Sequence, residues 1–455
     1  MPLKFSTAAG QRRAAACPRL PSSTGSLPRA ASGSRSWLNR RGPLRLLPMD
    51  SSVRRLYMDN SATSFPKPAA VLDAMTRYAT ELGASAGRGV YREAVETGRI
   101  IAECRQRICT LINGQDPQQV VFTLNCTHAL NIALKGLIDP ARPGHAICTH
   151  IDHNSILRPL AAMEEELGLA VTRVPIDPRT GLVDIADIAR AIRPDTRLIA
   201  ITHVSNVTGT IQPIGQVGRL ARERNIPFVV DAAQSAGHLP IDVQSQYIDV
   251  LAAPGHKGLL GPLGTGFLYI RPGLEKVIRP LMEGGTGSVS EIARQPDFMP
   301  DRYESGSHNA IGLAGLSAGV AWILEQGIDH LAAHGRALVS AFIEGISVVD
   351  VPGLHCYGPP GVANHAGVFS VRVDGLSPVE LARLLESRYG ILTRPGIHCA
   401  PLAHNALGTA PFGGTTRFSF GPFLSVQDVT YATDALAEIA MEQCGRAGLR
   451  RMARV

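Results

Sequence analysis

Apolar and polar positions along this chain follow two periods, and the alternation between them predicts the fold. Short, almost wholly apolar runs recur between about 120 and 270 and have the length of buried strands. These candidate strands are Val120–Thr123, Ala146–Thr149, Val171–Pro175, Leu198–Val204, Phe228–Ala232, Val250–Ala253 and Gly266–Ile270. Helical spacing separates most of them, for example at 128–137, 155–167, 184–192 and 214–224. Strands alternating with helices predict an α/β fold with a mostly parallel, seven-stranded sheet covered on both faces.

The pattern changes after about residue 305. A long helical stretch at 309–346 is followed by two further strands and two further helices, at Val368–Val373, 378–389, Thr416–Ser419 and 426–443. This order is typical of a smaller α+β domain. We therefore predict a large α/β domain over residues 51–305 and a small domain over residues 306–455.

The net positive charge of the chain comes from its N-terminal residues. Residues 1–49 contain eight Arg, one Lys and no acidic residue, and subtracting these nine charges from the net charge of +7 leaves −2 for the rest. The basic balance therefore gives no argument for nucleic-acid binding. No apolar run reaches the length of about 18 residues that a membrane helix needs, so we expect no membrane span.

Residues 1–50 are predicted to be a leader outside the folded part. An Arg-rich, Ser-rich and acid-free composition is typical of an organellar transit peptide. The alternative is a disordered or untranslated stretch before the true start, which Met49 favours because it directly precedes the first patterned segment. The eight cysteines form no CxxC or zinc pattern, which indicates no metal site and a reducing compartment. We expect a cytoplasmic protein, or an organellar one if the leader is a transit peptide.

Two reactive groups stand out among the loops. In Pro254–Gly266, His256 and Lys257 are surrounded by glycines, which let the backbone pass close to a bulky planar group. A lysine in such a pocket can have a lowered pKa and react with an aldehyde. In Arg394–Ala400, Cys399 is flanked by histidine. Together they suggest pyridoxal phosphate chemistry at sulfur.

Polar residues follow several candidate strands, where open α/β sheets bind ligands. Thr127 begins a helix and suits a phosphate, or is an ordinary N-cap. His153 could stack on a cofactor ring or simply lie in a loop, and Asn206 could bond a phenolic oxygen or form a turn. Asp231 ends an apolar strand, so it needs a partner such as a protonated pyridine nitrogen, or caps the next helix. Gln234 lies close enough to Asp231 in sequence to reach the cofactor too.

Three residues of the second region are also candidates. Ser307 could present its hydroxyl to a phosphate or belong to the cap of the following helix. Arg417 suits a carboxylate through two parallel hydrogen bonds, or lies on a solvated strand face. Cys399 is either reactive or an inert buried thiol, and its position in a loop favours the reactive alternative.

Taken in order, these segments resemble the class V aminotransferase family of fold-type I pyridoxal-phosphate enzymes, in particular its cysteine desulfurase branch and the related selenocysteine lyases. The resemblance extends from Tyr57 to about Glu442. Arg394–Leu402 is similar to the Arg-x-Gly-x-His-Cys-Ala segment of the SufS-like group. The resemblance implies the fold-type I architecture, with the cysteine loop in the smaller domain. It also implies a homodimer with active sites at the interface, and a dedicated sulfur-acceptor protein.

The resemblance further implies how the cofactor, pyridoxal phosphate, would be held. Lys257 would bind it covalently, His153 would stack on its ring and Asp231 would pair with its pyridine nitrogen. The ring O3′ and the phosphate would be bound by Asn206, Gln234, Thr127, His256 and, from the second subunit, Ser307.

The substrate implied by the resemblance is L-cysteine. Arg417, with Arg394 and Asn206, would bind the substrate, and Cys399 would take its sulfur as a persulfide while alanine leaves. Because the thiolate is the nucleophile, we expect the neighbouring histidine and arginine to favour that form of the thiol. The predicted catalytic residues are Lys257, Cys399 and His153.

The chain departs from the family pattern at two places, and three alternative functions remain. Pro254 stands where the family usually has Ser or Thr, and Gly306–Asn309 reads Gly-Ser-His-Asn instead of Gly-Thr-Pro-Asn. A selenocysteine lyase or another class V aminotransferase would share the fold, and a catalytically silent scaffold is the alternative from a different class. The presence of Lys257, Asp231 and Cys399 together argues against the scaffold.

Overall fold

A seven-stranded sheet dominates the first two thirds of the described chain. The computed structural model describes residues 54–349 and 351–452, so the predicted leader lies outside the described residues. In spatial order the strands are Val120–Thr123, Gly266–Ile270, Val250–Pro254, Phe228–Asp231, Thr196–Thr202, His145–Thr149 and Ala170–Val174. Gly266–Ile270 runs antiparallel to both of its neighbours, and the next four neighbouring pairs of strands are parallel. The predicted mostly parallel, seven-stranded α/β sheet is confirmed.

Helices cover both faces of this sheet because its central strands are apolar on both sides. In Phe228–Asp231, for example, Val229 packs into one buried cluster and Val230 into the other. The helices that precede or connect the strands are Ala69–Arg77, Tyr78–Leu82, Arg92–Leu111, Cys126–Leu137, Asn154–Leu167, Ile185–Ala191 and Ile214–Glu223. Short 3₁₀ turns lie at Pro117–Gln119 and Leu274–Lys276.

A second, antiparallel sheet has four strands and its own core. Their order is Arg394–Gly396, Thr415–Ser419, Val368–Val373 and Leu354–Tyr357, and a separate pair joins Leu56–Tyr57 in parallel to Ile391–Leu392. The helices of this region are Ile328–Val349, Pro378–Tyr389, Pro401–Ala406 and Val426–Met452, with a 3₁₀ turn at Ala410–Phe412. The strands at 354–357, 391–392 and 394–396 were not predicted, because they are short and partly exposed.

The single helical stretch predicted at 309–346 is wrong in one respect. Gly327, with φ of 82°, separates Ala310–Gln326 from Ile328–Val349. Ala310–Gln326 packs into one core of the large sheet, and the domain boundary at 305/306 stays a prediction. No single helix within 54–349 and 351–452 is long and apolar enough to cross a membrane. One pair of helices, Ala310–Gln326 and Ile328–Val348, is bent by 82° and is long and apolar enough by length and composition alone.

Candidate active site

Seven of the predicted site residues line one cavity. It has a volume of about 290 Å³ and lies where the parallel strands end. The seven residues are Thr127, His153, Asn206, Asp231, Gln234, His256 and Lys257. The rest of the wall comes from Asn125, Cys126, Ser155, Thr202, Ala233 and Pro254. Each residue ends a strand or follows one closely, which is the place where open α/β sheets bind ligands.

Lys257 follows the strand Val250–Pro254 and faces this cavity. Burial lowers the pKa of Lys257 below its ordinary value, although the carboxylate of Asp231 opposes the shift. A lysine with a lowered pKa has more of its neutral, nucleophilic amine at physiological pH. The glycines beside it serve protein packing: a Cβ on Gly258 would lie 2.3 Å from the Ala236 carbonyl oxygen, and one on Gly255 would lie 2.1 Å from Thr265 Oγ1.

Asp231 places a carboxylate at the buried end of its strand. Its side chain is 2% exposed, and Oδ1 accepts a hydrogen bond from the Ala233 amide at 2.9 Å. The Cys126 thiol lies 3.4 Å from the same oxygen. Gln234 Nε2 donates to the Ser61 carbonyl at 3.1 Å. Asp231 therefore stabilises its own turn and lines the cavity at the same time.

Three side chains form a hydrogen-bonded chain along one wall. His153 is the N-cap of Asn154–Leu167, and its Nδ1 accepts from the Ser155 amide at 3.0 Å. Ser155 Oγ lies 2.9 Å from the same Nδ1 and 2.7 Å from Thr127 Oγ1. Because Nδ1 is an acceptor, the proton of neutral His153 lies on Nε2. Burial lowers the pKa of His153, so the ring is neutral at physiological pH.

Thr127 is not the N-cap of its helix. Asn125 has that role, since its side chain accepts from the His128 amide at 2.9 Å. The alternative of an ordinary capping threonine is therefore wrong, and Thr127 lies in the first turn with its hydroxyl at the cavity wall.

His256 is fixed by its backbone while one ring nitrogen stays unpaired. Its carbonyl oxygen accepts from the Ser64 amide at 2.9 Å and from Thr63 Oγ1 at 3.0 Å. Burial and the charges of Lys257 and Lys67 lower the pKa of His256 to about 4. His256 thus contributes a neutral imidazole to the cavity wall, and its buried Nδ1 has no hydrogen-bond partner among the described residues.

The loop that carries Cys399 is held in a tight, left-handed conformation. His398 and Cys399 have φ of 52° and 58°, a region that residues other than glycine rarely adopt. Asn206 Nδ2 donates to the His398 carbonyl at 2.6 Å, and the Asn154 amide donates to the Cys399 carbonyl at 2.8 Å. Asn206 lines the cavity and Asn154 begins the helix that His153 caps. The exposed Cys399 is therefore anchored to the cavity wall.

His398 does not supply the positive charge that the sequence suggested. It is 7% exposed, and its Nε2 lies 3.2 Å from both the carbonyl oxygen and Oγ1 of Thr415. Burial, together with the charge of Arg417, places the pKa of His398 well below its ordinary value. The ring is consequently neutral at physiological pH, and this part of the expectation is wrong. Arg417 is close enough to Cys399 for the two side chains to interact electrostatically.

Arg417 is buried, so the alternative of a solvated strand arginine is wrong. Its side chain is 3% exposed, and Nη2 lies 2.8 Å from Asp59 Oδ1. Nη1 donates to the Asn206 carbonyl at 3.2 Å. Arg394 is exposed and lies directly opposite Arg417 on the neighbouring strand. Arg417 thus contacts both the Asp59 carboxylate and the Asn206 carbonyl, with Arg394 opposite it on the next strand.

Ser307 does not line the Lys257 cavity of its own chain. It lines a separate pocket of about 200 Å³ with His308 and Glu304. The Glu304 carboxylate pairs with Arg105 at 2.8 Å and with His308 Nε2 at 2.7 Å. Asn309, not Ser307, caps the following helix by accepting from the Gly312 amide. The hydroxyl of Ser307 is therefore not used as the cap.

The sequence matches one family model, that of the aminotransferases of class V, over residues 56–431. This chain belongs to the class V aminotransferase family. Among curated relatives, a probable cysteine desulfurase of Methanothermobacter thermautotrophicus is 35% identical over 390 residues, covering 85% of this chain and 94% of that protein. A probable cysteine desulfurase of Pyrococcus abyssi is 34% identical and covers 86% and 96%.

Solved structures of the family agree with this assignment. The apo cysteine desulfurase of Thermococcus onnurineus superposes with a TM-score of 0.79 at 33% identity, over 85% of this chain and 95% of that one. The cysteine desulfurase CsdA of Escherichia coli gives a TM-score of 0.75 at 27% identity, over 85% and 94%. The expected fold-type I architecture and family are confirmed.

Two residues that shape this site, Ser155 and Asp59, were not predicted from the sequence. Ser155 contributes a hydroxyl to the cavity, next to Thr127, in a chain where Pro254 has replaced the family's usual hydroxyl residue. Its position two residues after His153 was a usable signal, because a serine there can reach a capping side chain. Asp59, by contrast, is far from Arg417 in sequence, and nothing local indicated their contact.

Proposed function

We propose that this protein is a cysteine desulfurase, which uses pyridoxal phosphate to convert L-cysteine to L-alanine and keeps the sulfur as a persulfide on Cys399. The observation that carries the proposal is the anchoring of Cys399 to the wall of the Lys257 cavity through Asn154 and Asn206. Relatives named cysteine desulfurases, matched over most of their length, support this activity over a selenocysteine lyase, another class V aminotransferase or a silent scaffold.

The residues present fit pyridoxal phosphate. A buried polar atom without a partner is costly, and a phosphate oxygen would satisfy Nδ1 of His256. Lys257 would hold the cofactor aldehyde and Asp231 its pyridine nitrogen, with Thr127 at the phosphate end. When bound, this cofactor supplies an electron sink that stabilises negative charge on the substrate carbon.

The chain's own residues divide the remaining tasks. Arg417 binds the substrate carboxylate, and Arg394 adds a second positive charge. Lys257, whose pKa is lowered, moves the α-proton of the substrate. His153 presents Nε2–H as a neutral donor.

Cys399 performs the sulfur chemistry. Its thiolate attacks the sulfur of L-cysteine, so that an S–S bond forms as the substrate C–S bond breaks. The electron pair of the broken bond stays with the substrate carbon, which is protonated to give alanine. Because His398 is neutral, it supplies no positive charge to this step.

We further propose a homodimer and a sulfur-acceptor protein. Ser307 lies in a pocket away from the Lys257 cavity of its own chain, which suits a hydroxyl that serves the second subunit. Cys399 is exposed on a short, fixed loop, so a persulfide there needs a partner that approaches it.

The direct test measures alanine and sulfide released from L-cysteine in the presence of a thiol reductant. Wild type should release both in equal amounts, and Cys399→Ala should release neither. Cys444→Ala is the matched control and should behave as wild type, since Cys444 is also exposed but lies on the helix Val426–Met452. Turnover that does not depend on Cys399, or keto-acid conversion without sulfide, would refute the proposal.

A further inference from the structure

The arginine assigned to the substrate carboxylate already has a carboxylate partner within the chain. Asp59 Oδ1 lies 2.8 Å from Nη2 of Arg417, and the side chains are 20% and 3% exposed respectively. Nη1 is bonded to the Asn206 carbonyl. Nε of Arg417 is buried and finds no partner in the described part of the chain. The guanidinium thus uses one N–H of each Nη, and the Nε–H is left for a second acceptor.

The backbone of Asp59 is fixed independently of this ion pair. Leu56–Tyr57 pairs with Ile391–Leu392, and Asp59 forms an isolated bridge with Ser419. Tyr57 Oη donates to the Asp59 carbonyl at 3.2 Å. Since these contacts use the main chain, the carboxylate can leave Arg417 without unfolding the segment that carries it.

The local charges leave room for one more anion. Arg417 and Arg394 lie opposite each other on adjacent antiparallel strands. Asp59 neutralises the charge of Arg417. A buried arginine without a counter-ion is strongly unfavourable, so Asp59 stabilises the site while no substrate is bound. A substrate carboxylate then approaches a cation that another carboxylate already contacts.

We propose that Asp59 is a specificity-determining residue, which acts as the resident counter-ion of Arg417 and competes with the carboxylate of the incoming amino acid. This inference rests on the proposed role of Arg417 in the desulfurase. Like charges on one guanidinium repel, so Asp59 lowers the affinity that a carboxylate alone can obtain. A ligand must add the contacts of its amino group to bind well, which selects amino acids over simple acids.

The test compares two amines that differ only in the carboxylate, L-alanine and ethylamine. Their dissociation constants are measured from the change in visible absorbance of the cofactor-loaded protein. In Asp59→Asn, which keeps the shape and one acceptor, L-alanine should bind about tenfold or more tightly, because a unit charge a few ångströms away is removed. Ethylamine should bind as in wild type. The KM for L-cysteine should fall without a rise in kcat.

A matched control separates charge competition from general damage. Asp249 is another buried aspartate that pairs with arginines, Arg271 at 2.5 Å and Arg222 at 3.2 Å, but it precedes Val250–Pro254 at the opposite end of the sheet. Asp249→Asn should leave the affinities for both amines unchanged.

Several outcomes would overturn the proposal. Weaker or unchanged L-alanine binding in Asp59→Asn would mean that Asp59 only positions Arg417. Equal changes for both amines would indicate a structural role. If neither Asp59→Asn nor Asp59→Ser folds, the contact is not displaceable and the proposal is wrong. Wild type that binds L-alanine but releases no sulfide from L-cysteine would refute the proposed function alone, because the alanine comparison still reports on Asp59.

Discussion

Replacing Asn154 by proline isolates the anchor of the cysteine loop. The Asn154 amide donates to the Cys399 carbonyl at 2.8 Å, and proline has no amide hydrogen. Asn154 is the first residue of its helix, a position that favours proline. His153 has φ of −72° and ψ of 155°, the extended conformation required before proline. The substitution should therefore remove one hydrogen bond and leave the helix intact.

The expected magnitude follows from the conformation of the loop. His398 and Cys399 are left-handed, which costs about 1–2 kcal/mol for each residue. Two anchors, from Asn206 and Asn154, oppose this strain, and a hydrogen bond contributes about 0.5–1.5 kcal/mol net. We expect the free energy of unfolding to fall by about 1 kcal/mol. The loop should shift, and a displacement of about 1 Å at a reacting group can lower the rate about 100-fold.

The assay is single-turnover formation of alanine from L-cysteine, with the visible absorbance of the cofactor as the measure of cavity integrity. Asn154→Pro should retain the absorbance and slow alanine formation about tenfold or more. Arg92→Pro is the control: it also lies first in a helix, and Tyr91 before it has φ of −82° and ψ of 156°. A wild-type rate in Asn154→Pro would show that the anchor does not position Cys399, and loss of absorbance would place its effect in the cavity.

Three further variants test separate parts of the structure. Ser155→Ala should lower the free energy of unfolding by about 1 kcal/mol and shift the ¹⁵N resonance of His153 Nδ1. Ser155→Thr should restore both the stability and the resonance. An unshifted resonance in Ser155→Ala would refute the hydrogen-bonded chain. Because the pKa of His256 falls to about 4 in the folded protein, folding stability is full above the ordinary pKa of 6.5 and is lost as pH falls toward 4. When the pH is lowered from 7.5 to 5, the free energy of unfolding measured with urea should fall by about 2 kcal/mol more in wild type than in His256→Asn. Equal decreases in the two proteins would contradict this prediction. Arg105→Met should lower the free energy of unfolding by about 3–5 kcal/mol, because it leaves Glu304 buried without its guanidinium; a loss below about 1 kcal/mol, typical of an exposed pair, would contradict it.

The large sheet and its cavity could be predicted because their signals are local. Each strand is a short apolar run, and His153, Asp231 and Lys257 all end a strand or follow one within four residues. The parallel arrangement of the strands then brings these side chains to one edge without any knowledge of tertiary contacts. The family resemblance supplied the roles, which periodicity alone could not.

The contacts around Cys399 could not be predicted because they join distant segments. Asp59 and Arg417 are 358 residues apart, and their contact depends on a two-residue strand pair that has no periodic signal. The charge of His398 was predicted from its position beside Cys399, but protonation depends on burial, which the loop sequence does not show. Likewise, helical periodicity continued through Gly327, although the positive φ of this glycine ends the helix.

Asn206 makes contacts that its place in the sequence did not indicate. The sequence suggested a hydrogen bond to a phenolic oxygen in the cavity, and the family resemblance implied a part in substrate binding. The structure gives its side-chain amide to the His398 carbonyl and its own carbonyl to Arg417, while the residue also lines the cavity. This single residue, four positions after the end of the strand Thr196–Thr202, therefore joins the lysine cavity, the cysteine loop and the buried arginine. Loss of activity after a substitution at this position would combine three effects, so sulfur transfer is better tested through Asn154 and carboxylate binding through Asp59.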